Sequence, residues 1–164
     1  MCHEQIFDEN LIALHPAEPL ETSTDVIRLL GQLMVKNGYV NTSYIEAVLE
    51  REKQFPTGLQ IQPFGAAIPH ADSNGVKRSG VAIAILSKSV PFKNMADPER
   101  HVDVKLVFLL AVKEGDKQVG LLQYLATLLQ QEQVVAELAS AVNPSAVMQV
   151  LNRVSQKVME ERDG

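Results

Sequence analysis

Val104-Lys105-Leu106-Val107-Phe108-Leu109-Leu110-Ala111-Val112 is the stretch that sets the architecture. From Leu106 onward it is apolar at both parities, so a strand made of it must be covered on both faces, as a central strand of a layered α/β sheet is. It is far shorter than the roughly 20 residues a membrane-spanning helix needs. The nearest clear strand upstream is Val81-Ala82-Ile83-Ala84-Ile85-Leu86. About 17 residues join the two, including the polar loop from Pro91 to Arg100, and they carry no helical pattern. That connection argues against an uninterrupted strand–helix–strand winding and for a mixed sheet.

Further upstream, Leu11-Ile12-Ala13-Leu14 reads as a first strand between Asp8-Glu9-Asn10 and His15-Pro16. Thr22-Ser23-Thr24-Asp25 offers several helix caps; Val26, Leu29, Leu30, Leu33 and Met34 then share one helical face, and Asn37-Gly38 closes the helix. A second helix opens at Ser43, with Glu46 three residues on as a capping box and Ile45, Val48 and Leu49 on its buried side. Its last turns, Glu50-Arg51-Glu52-Lys53, read as a solvated charged face. Phe55-Pro56-Thr57-Gly58 breaks the helix, Leu59 and Ile61 suggest a short edge strand before Pro63, and Gly65-Ala66-Ala67-Ile68 is a strand-like run that stops at Pro69.

Downstream, Val119, Leu121, Leu122, Leu125, Leu128 and Leu129 mark a helix, and Val134, Val135 and Leu138 mark a short second one. Asn143-Pro144 caps a last amphipathic helix through Val147, Val150, Leu151, Val154 and Val158. The order predicts an α/β fold: a mixed central β-sheet of about five strands with helices on both faces, forming one domain over residues 1–164.

The 46% hydrophobic and 21% charged fractions are those of an ordinary globular protein. The net charge of −5, without any Lys/Arg block, speaks against nucleic-acid binding. Cys2 is the one cysteine, so no internal disulfide forms, and the first residues lack the basic and apolar regions of a signal peptide. A soluble cytoplasmic protein is the expectation. Cys2-His3 has no metal-ligand spacing around it and reads as a frayed terminus.

The chemistry concentrates at Pro69-His70-Ala71-Asp72. Proline fixes its own φ and pushes Ile68 toward extended geometry, so the imidazole of His70 is held at a strand end. A neutral ring has one nitrogen free as nucleophile, base or metal ligand; a structural histidine is the plain alternative. His15, before a proline, and His101, beside Arg100 at the entrance to the central strand, read as exposed histidines without chemistry. No phosphate-cradling glycine loop, no G-x-S-x-G elbow and no cysteine to pair with His70 is present. If His70 does chemistry, that narrows it to acid–base work or to accepting a transferable group. Arg51, otherwise one member of a solvated charge run, has the donor fork that suits a phosphate.

Glu50-Arg51-Glu52, then Phe55-Pro56-Thr57-Gly58, then Gly65-Ala66-Ala67-Ile68-Pro69-His70 resembles the enzyme IIA domains of the mannitol/fructose class of the bacterial sugar phosphotransferase system. The likeness runs from about Thr24 to Leu129, and the Phe-Pro-Thr-Gly wording looks most like the galactitol-type subgroup. The resemblance implies a phosphotransferase component with a phosphohistidine intermediate. His70 would take a phosphoryl group on Nε2 from phospho-HPr and pass it to a cysteine of enzyme IIB, itself tied to the membrane component IIC, with no metal or other cofactor. It implies that Arg51 faces the phosphoryl oxygens, with Thr57 giving a hydroxyl hydrogen bond nearby and a backbone carbonyl fixing the His70 tautomer. Mannitol-type members carry a second histidine where Gln118 falls here, and its amide would donate to a phosphoryl oxygen or the ring. The small residues Ala66, Ala67 and Ala71 would let a partner approach, and the acidic balance would suit a basic patch on HPr. A regulatory module of the same fold, whose His70 phosphorylation is read by a protein partner without onward transfer, is the alternative within the class.

Overall fold

The computed structural model describes residues 6–114 and 117–163, with side chains as far as Val154; Cys2, His3 and Val158 as a core side chain lie outside the described parts. The elements are β1 (Phe7–Leu14), α1 (Ser23–Lys36), α2 (Thr42–Gln54), β2 (Gly58–Leu59), β3 (Gly65–Ala67), β4 (Gly80–Lys93), β5 (His101–Ala111), α3 (Gln118–Leu129), α4 (Glu132–Ala139) and α5 (Pro144–Asp163). The five strands form one sheet in the order β1-β4-β5-β3-β2. β1 runs parallel to β4 and β3 parallel to β5, while β4–β5 and β2–β3 are antiparallel. The mixed α/β sheet expected from the sequence is thus the one found.

Strand parity sorts the core. Ala82, Ala84 and Leu86 of β4 and Val107, Leu109 and Ala111 of β5 pack toward α1 and α2. The alternate residues Val81, Ile83, Ile85, Leu106, Phe108 and Leu110 pack toward α3, α4 and α5. Both parities of the β5 run are buried, the physical reason its sequence does not alternate.

Several local expectations are corrected. β1 begins at Phe7, because the polar Asp8 at this sheet edge is not wasted on solvent: it accepts from the Tyr39 hydroxyl at 2.6 Å. Pro91–Arg100 is not all loop. β4 continues through Pro91-Phe92-Lys93 after a register shift between Ile85 and Val90, and β5 starts at His101, which pairs with Lys93. Proline is tolerated there because β1 pairs with β4 only as far as Ile85, so that β4 has a partner strand on one side only at Pro91. The capping box lies at α1, where Thr22 and Asp25 exchange backbone bonds, not at Ser43. Glu46 instead pairs with Arg28 of α1 at 2.9 Å, and Asn41 starts α2 without a side-chain cap. Glu52 is not on a solvated face: it is 9% exposed, in phase with the buried Ile45, Val48 and Leu49.

Candidate functional site

The three-residue β3 ends in the corner Ile68-Pro69-His70-Ala71, beside the central strand. Two glycines allow the backbones to meet here. A Cβ on Gly65 would stand 2.5 Å from the Asp103 carbonyl oxygen, and one on Gly58 would stand 2.6 Å from that of Lys93. Every backbone polar group of Ile68, Pro69 and Ala71 is then engaged. Ile68 N–H donates to Thr57 Oγ1 (3.3 Å), and the Pro69 carbonyl accepts from Leu110 N–H (3.0 Å). Ala71 N–H donates to the Tyr44 hydroxyl (3.1 Å), and the Ala71 carbonyl accepts from Gln118 Nε2 (3.0 Å).

The remaining carbonyl, that of Ile68, faces His70 Nδ1 at 2.8 Å. A carbonyl only accepts, so Nδ1 carries the proton and Nε2 of the neutral ring keeps its lone pair. The tautomer-fixing group that the resemblance implied but left unnamed is therefore Ile68. The ring is half-buried, and burial is the main cause that holds its basicity below the ordinary value; the Arg51 charge works in the same direction, while the Ile68 carbonyl and Asp72 oppose. The neutral form of the ring is favoured.

Arg51, in the last turn of α2, is near enough for its charge to be felt at both the His70 ring and the Tyr44 phenol. Its guanidinium carbon lies 5.2 Å from the centroid of the Phe55 ring. Among the described residues no carboxylate lies within ion-pair distance of it, which leaves its fork available to an anion.

Thr57 stands beside the His70 corner with its hydroxyl already engaged. It is 4% exposed; its hydroxyl donates to Glu52 Oε1 (2.8 Å) and accepts from Ile68, and its N–H donates to Glu52 Oε2 (2.9 Å). With its hydrogen directed at Glu52, it braces the corner rather than pointing a donor outward. Gln118 likewise meets the corner through Ala71 and not the ring, keeping a second N–H in reserve. Ala66 and Ala67 are fully buried and Ala71 nearly so, because β3 lies between the two helical layers; they are core residues and form no approach surface. His101 lies exposed at the start of β5, and His15 leaves β1 with φ 48° and its N–H on the Ile85 carbonyl.

Two residues carry no site role in the sequence reading: Glu52, read there as solvated, and Tyr44. Both sit on the α2 stripe that also buries Ile45, Val48 and Leu49, and that phase was the available signal. The Tyr44 hydroxyl donates to the Leu110 carbonyl at 2.6 Å while accepting from Ala71, and burial pushes its pKa up to about 12. Tyr44→Phe leaves those two buried backbone groups without their partner, so urea denaturation should show a loss of about 1–3 kcal/mol with secondary structure retained. Among the described residues no group of three or more His, Cys, Asp or Glu is placed to hold a metal, and no helix is long and apolar enough to cross a membrane.

Comparison with known proteins shows the family. Residues 5–154 match the family described as phosphoenolpyruvate-dependent sugar phosphotransferase system, EIIA 2. The galactitol-specific EIIA component of Escherichia coli K12 is 32% identical over 115 residues, 70% of this chain and 76% of the relative. The mannitol-specific enzyme IIA component of Geobacillus stearothermophilus is 31% identical over 153 residues, 92% of this chain and 97% of that one. The crystal structure of IIA mannitol from Escherichia coli superposes with a TM-score of 0.70 at 27% identity, covering 87% of this chain and 96% of its own. A solution structure of Escherichia coli mannitol IIA in complex with phosphorylated IIB gives 0.72 at 26%, covering 89% and 98%. The chain is a member of the EIIA 2 family, a phosphotransferase component of the sugar phosphotransferase system.

Proposed function

We propose that the whole chain, residues 1–164, is a cytoplasmic carrier unit in which His70 Nε2 accepts a phosphoryl group from phospho-HPr and passes it to a cysteine of an enzyme IIB partner. Through IIB and the membrane component IIC it would serve uptake of a sugar alcohol such as galactitol. The observation that carries this reading is the Nδ1–H bond to the Ile68 carbonyl, which presents a bare Nε2 lone pair at a braced corner. In the first step that lone pair forms a P–N bond as the donor's own P–N bond breaks. The ring becomes a phosphoimidazolium whose Nδ1–H still rests on Ile68. In the second step the thiolate sulfur takes the phosphorus and the electron pair returns to Nε2.

A loose phosphoryl-transfer transition state needs positioning and charge more than covalent chemistry. Arg51 supplies charge to the equatorial oxygens, and the second N–H of Gln118 supplies a neutral donor from α3. The galactitol- and mannitol-specific relatives, and the mannitol IIA seen with its IIB, support this reading of the partners and substrate class.

The test is to incubate the protein with phosphoenolpyruvate, enzyme I and HPr, then follow it by ³¹P and ¹⁵N NMR. An Nε2 phosphohistidine that discharges to a IIB thiol is expected. A label that forms but is never discharged to any IIB would select the regulatory alternative, and no label would remove the carrier reading.

Docking leaves its own mark. Phe55, the C-cap residue of α2 beneath Arg51, and Val119, next to Gln118 on α3, are each 59% exposed. Isolated large apolar side chains exposed in this way are suited to brief protein contacts. Phe55→Ser with Val119→Ser is expected to raise the KM for phospho-HPr about 10-fold while leaving thermal stability nearly unchanged, as exposed substitutions do.

A further inference from the structure

Glu52 is a buried carboxylate that the transfer chemistry above does not use. Its two oxygens take both donors of Thr57: the N–H at 2.9 Å and the hydroxyl at 2.8 Å. An ionised carboxylate is acceptor-only, so the Thr57 hydroxyl must point its hydrogen at Glu52. The hydroxyl's lone pairs are thereby turned to Ile68 N–H. On the other side of Ile68, Pro69 restricts the backbone. Held from both sides, the Ile68 carbonyl is aimed at His70 Nδ1, only two residues on.

We infer that Glu52 is a positioning residue for His70, acting through Thr57 and Ile68 to hold the imidazole in the tautomer and direction that leave Nε2 open. The inference rests on the phosphoryl-acceptor reading of His70. It assigns Glu52 a task in the reaction although it touches neither the ring nor the phosphoryl group.

Placing a carboxylate here works against stability, which is why a functional reason is called for. Burial pushes the Glu52 carboxyl up to about 7, against the opposing bonds from Thr57. The folded state therefore binds more protons than the unfolded one between about 4.5 and about 7, and stability falls as pH rises through that window. The charged and titratable groups that share a cleft with Glu52 are Lys53 from its own helix, Lys93 from β4 and His101 from β5; Thr22, which caps α1, and Ser23 and Thr24 of its first turn also line it. Protonation of Glu52 puts a donor where Thr57 needs an acceptor, so the brace loosens as pH drops through about 7.

The experiment uses full-length Glu52→Gln, Thr57→Val and Thr57→Ser, with three readouts. Glu52→Gln at pH 8 should be more thermostable by about 2–4 °C, since a desolvated charge is gone. Single-turnover phosphorylation by phospho-HPr should nonetheless slow about 10-fold, because one Thr57 donor loses its acceptor and the ring is misaimed. Between pH 8 and 6 the wild-type rate should show a descending limb near 7 that Glu52→Gln lacks. Thr57→Val should slow similarly and Thr57→Ser should restore the rate. Ring ¹⁵N shifts of His70 should report a lower Nδ1–H population in Glu52→Gln and Thr57→Val. Variants that fold, phosphorylate at the wild-type rate and keep the wild-type tautomer would overturn the inference. Absence of His70 label in the wild type would instead overturn the acceptor reading beneath it.

Discussion

His70→Ala is expected to take up no acid-labile phosphate from phosphoenolpyruvate, enzyme I and HPr, a loss of more than ~10³-fold in the labelling rate. The size follows from the surroundings. The neighbouring side chains include an arginine, the Gln118 amide, the Asp72 carboxylate, a phenol pushed up to about 12 and a buried carboxyl, none of them a nucleophile fit to hold phosphorus at neutral pH. The variant should stay folded, because the ring's one hydrogen bond is to Ile68 two residues away and the corner keeps its ties to Thr57, Leu110, Tyr44 and Gln118. In the wild type, an NMR titration of His70 should find its midpoint below the ordinary 6.5, chiefly because burial penalises the imidazolium. The native state then binds fewer protons than the unfolded chain as pH falls past 6.5, so this residue contributes a loss of stability on acidification. Label persisting in His70→Ala would place the acceptor elsewhere.

Arg51→Ala should leave the acceptor in place but slow its loading by about 10²-fold, the scale of removing one preorganised donor from a site of developing charge. Arg51→Lys should recover only part of that, since an ammonium keeps the charge without the planar fork. Loss of the cation also lifts one of the influences that lower the basicity of His70, so the ring midpoint should rise in Arg51→Ala. The two effects separate the roles: a rate loss with an unmoved midpoint would mean that Arg51 acts by docking, through Phe55, rather than on the phosphoryl group. Normal loading and discharge in Arg51→Ala would remove it from the site altogether. Stopped-flow transfer from labelled HPr resolves these cases.

The alternation-free run at 104–112 and the helical stripes were legible because burial on both faces, or on one, imprints directly on residue type. The Pro-His corner was legible because proline restricts its neighbours whatever surrounds them. What escaped depended on contacts distant in sequence. The polar opening of β1 is a strand only because Tyr39 and Arg78 stand beside Asp8. The capping-box pattern at Ser43 yields to a pairing with α1 that no local rule foresees. Thr57 reads as a donor near the site until Glu52, five residues away and apparently one of a charged run, is found to face inward. The alanines of Gly65-Ala66-Ala67 look like an open surface in one dimension and become core once β3 is laid between β5 and β2.

The fastening of Ile68, Pro69 and Ala71 to three separate elements and the loop that holds Thr57 has a bearing on traffic through the molecule. A seat so anchored keeps one shape whether vacant or occupied, so giver and receiver meet the same contour in turn. Little conformational work then separates loading from unloading, and the direction of flow is governed by the chemical potentials of the two partners rather than by the vehicle between them.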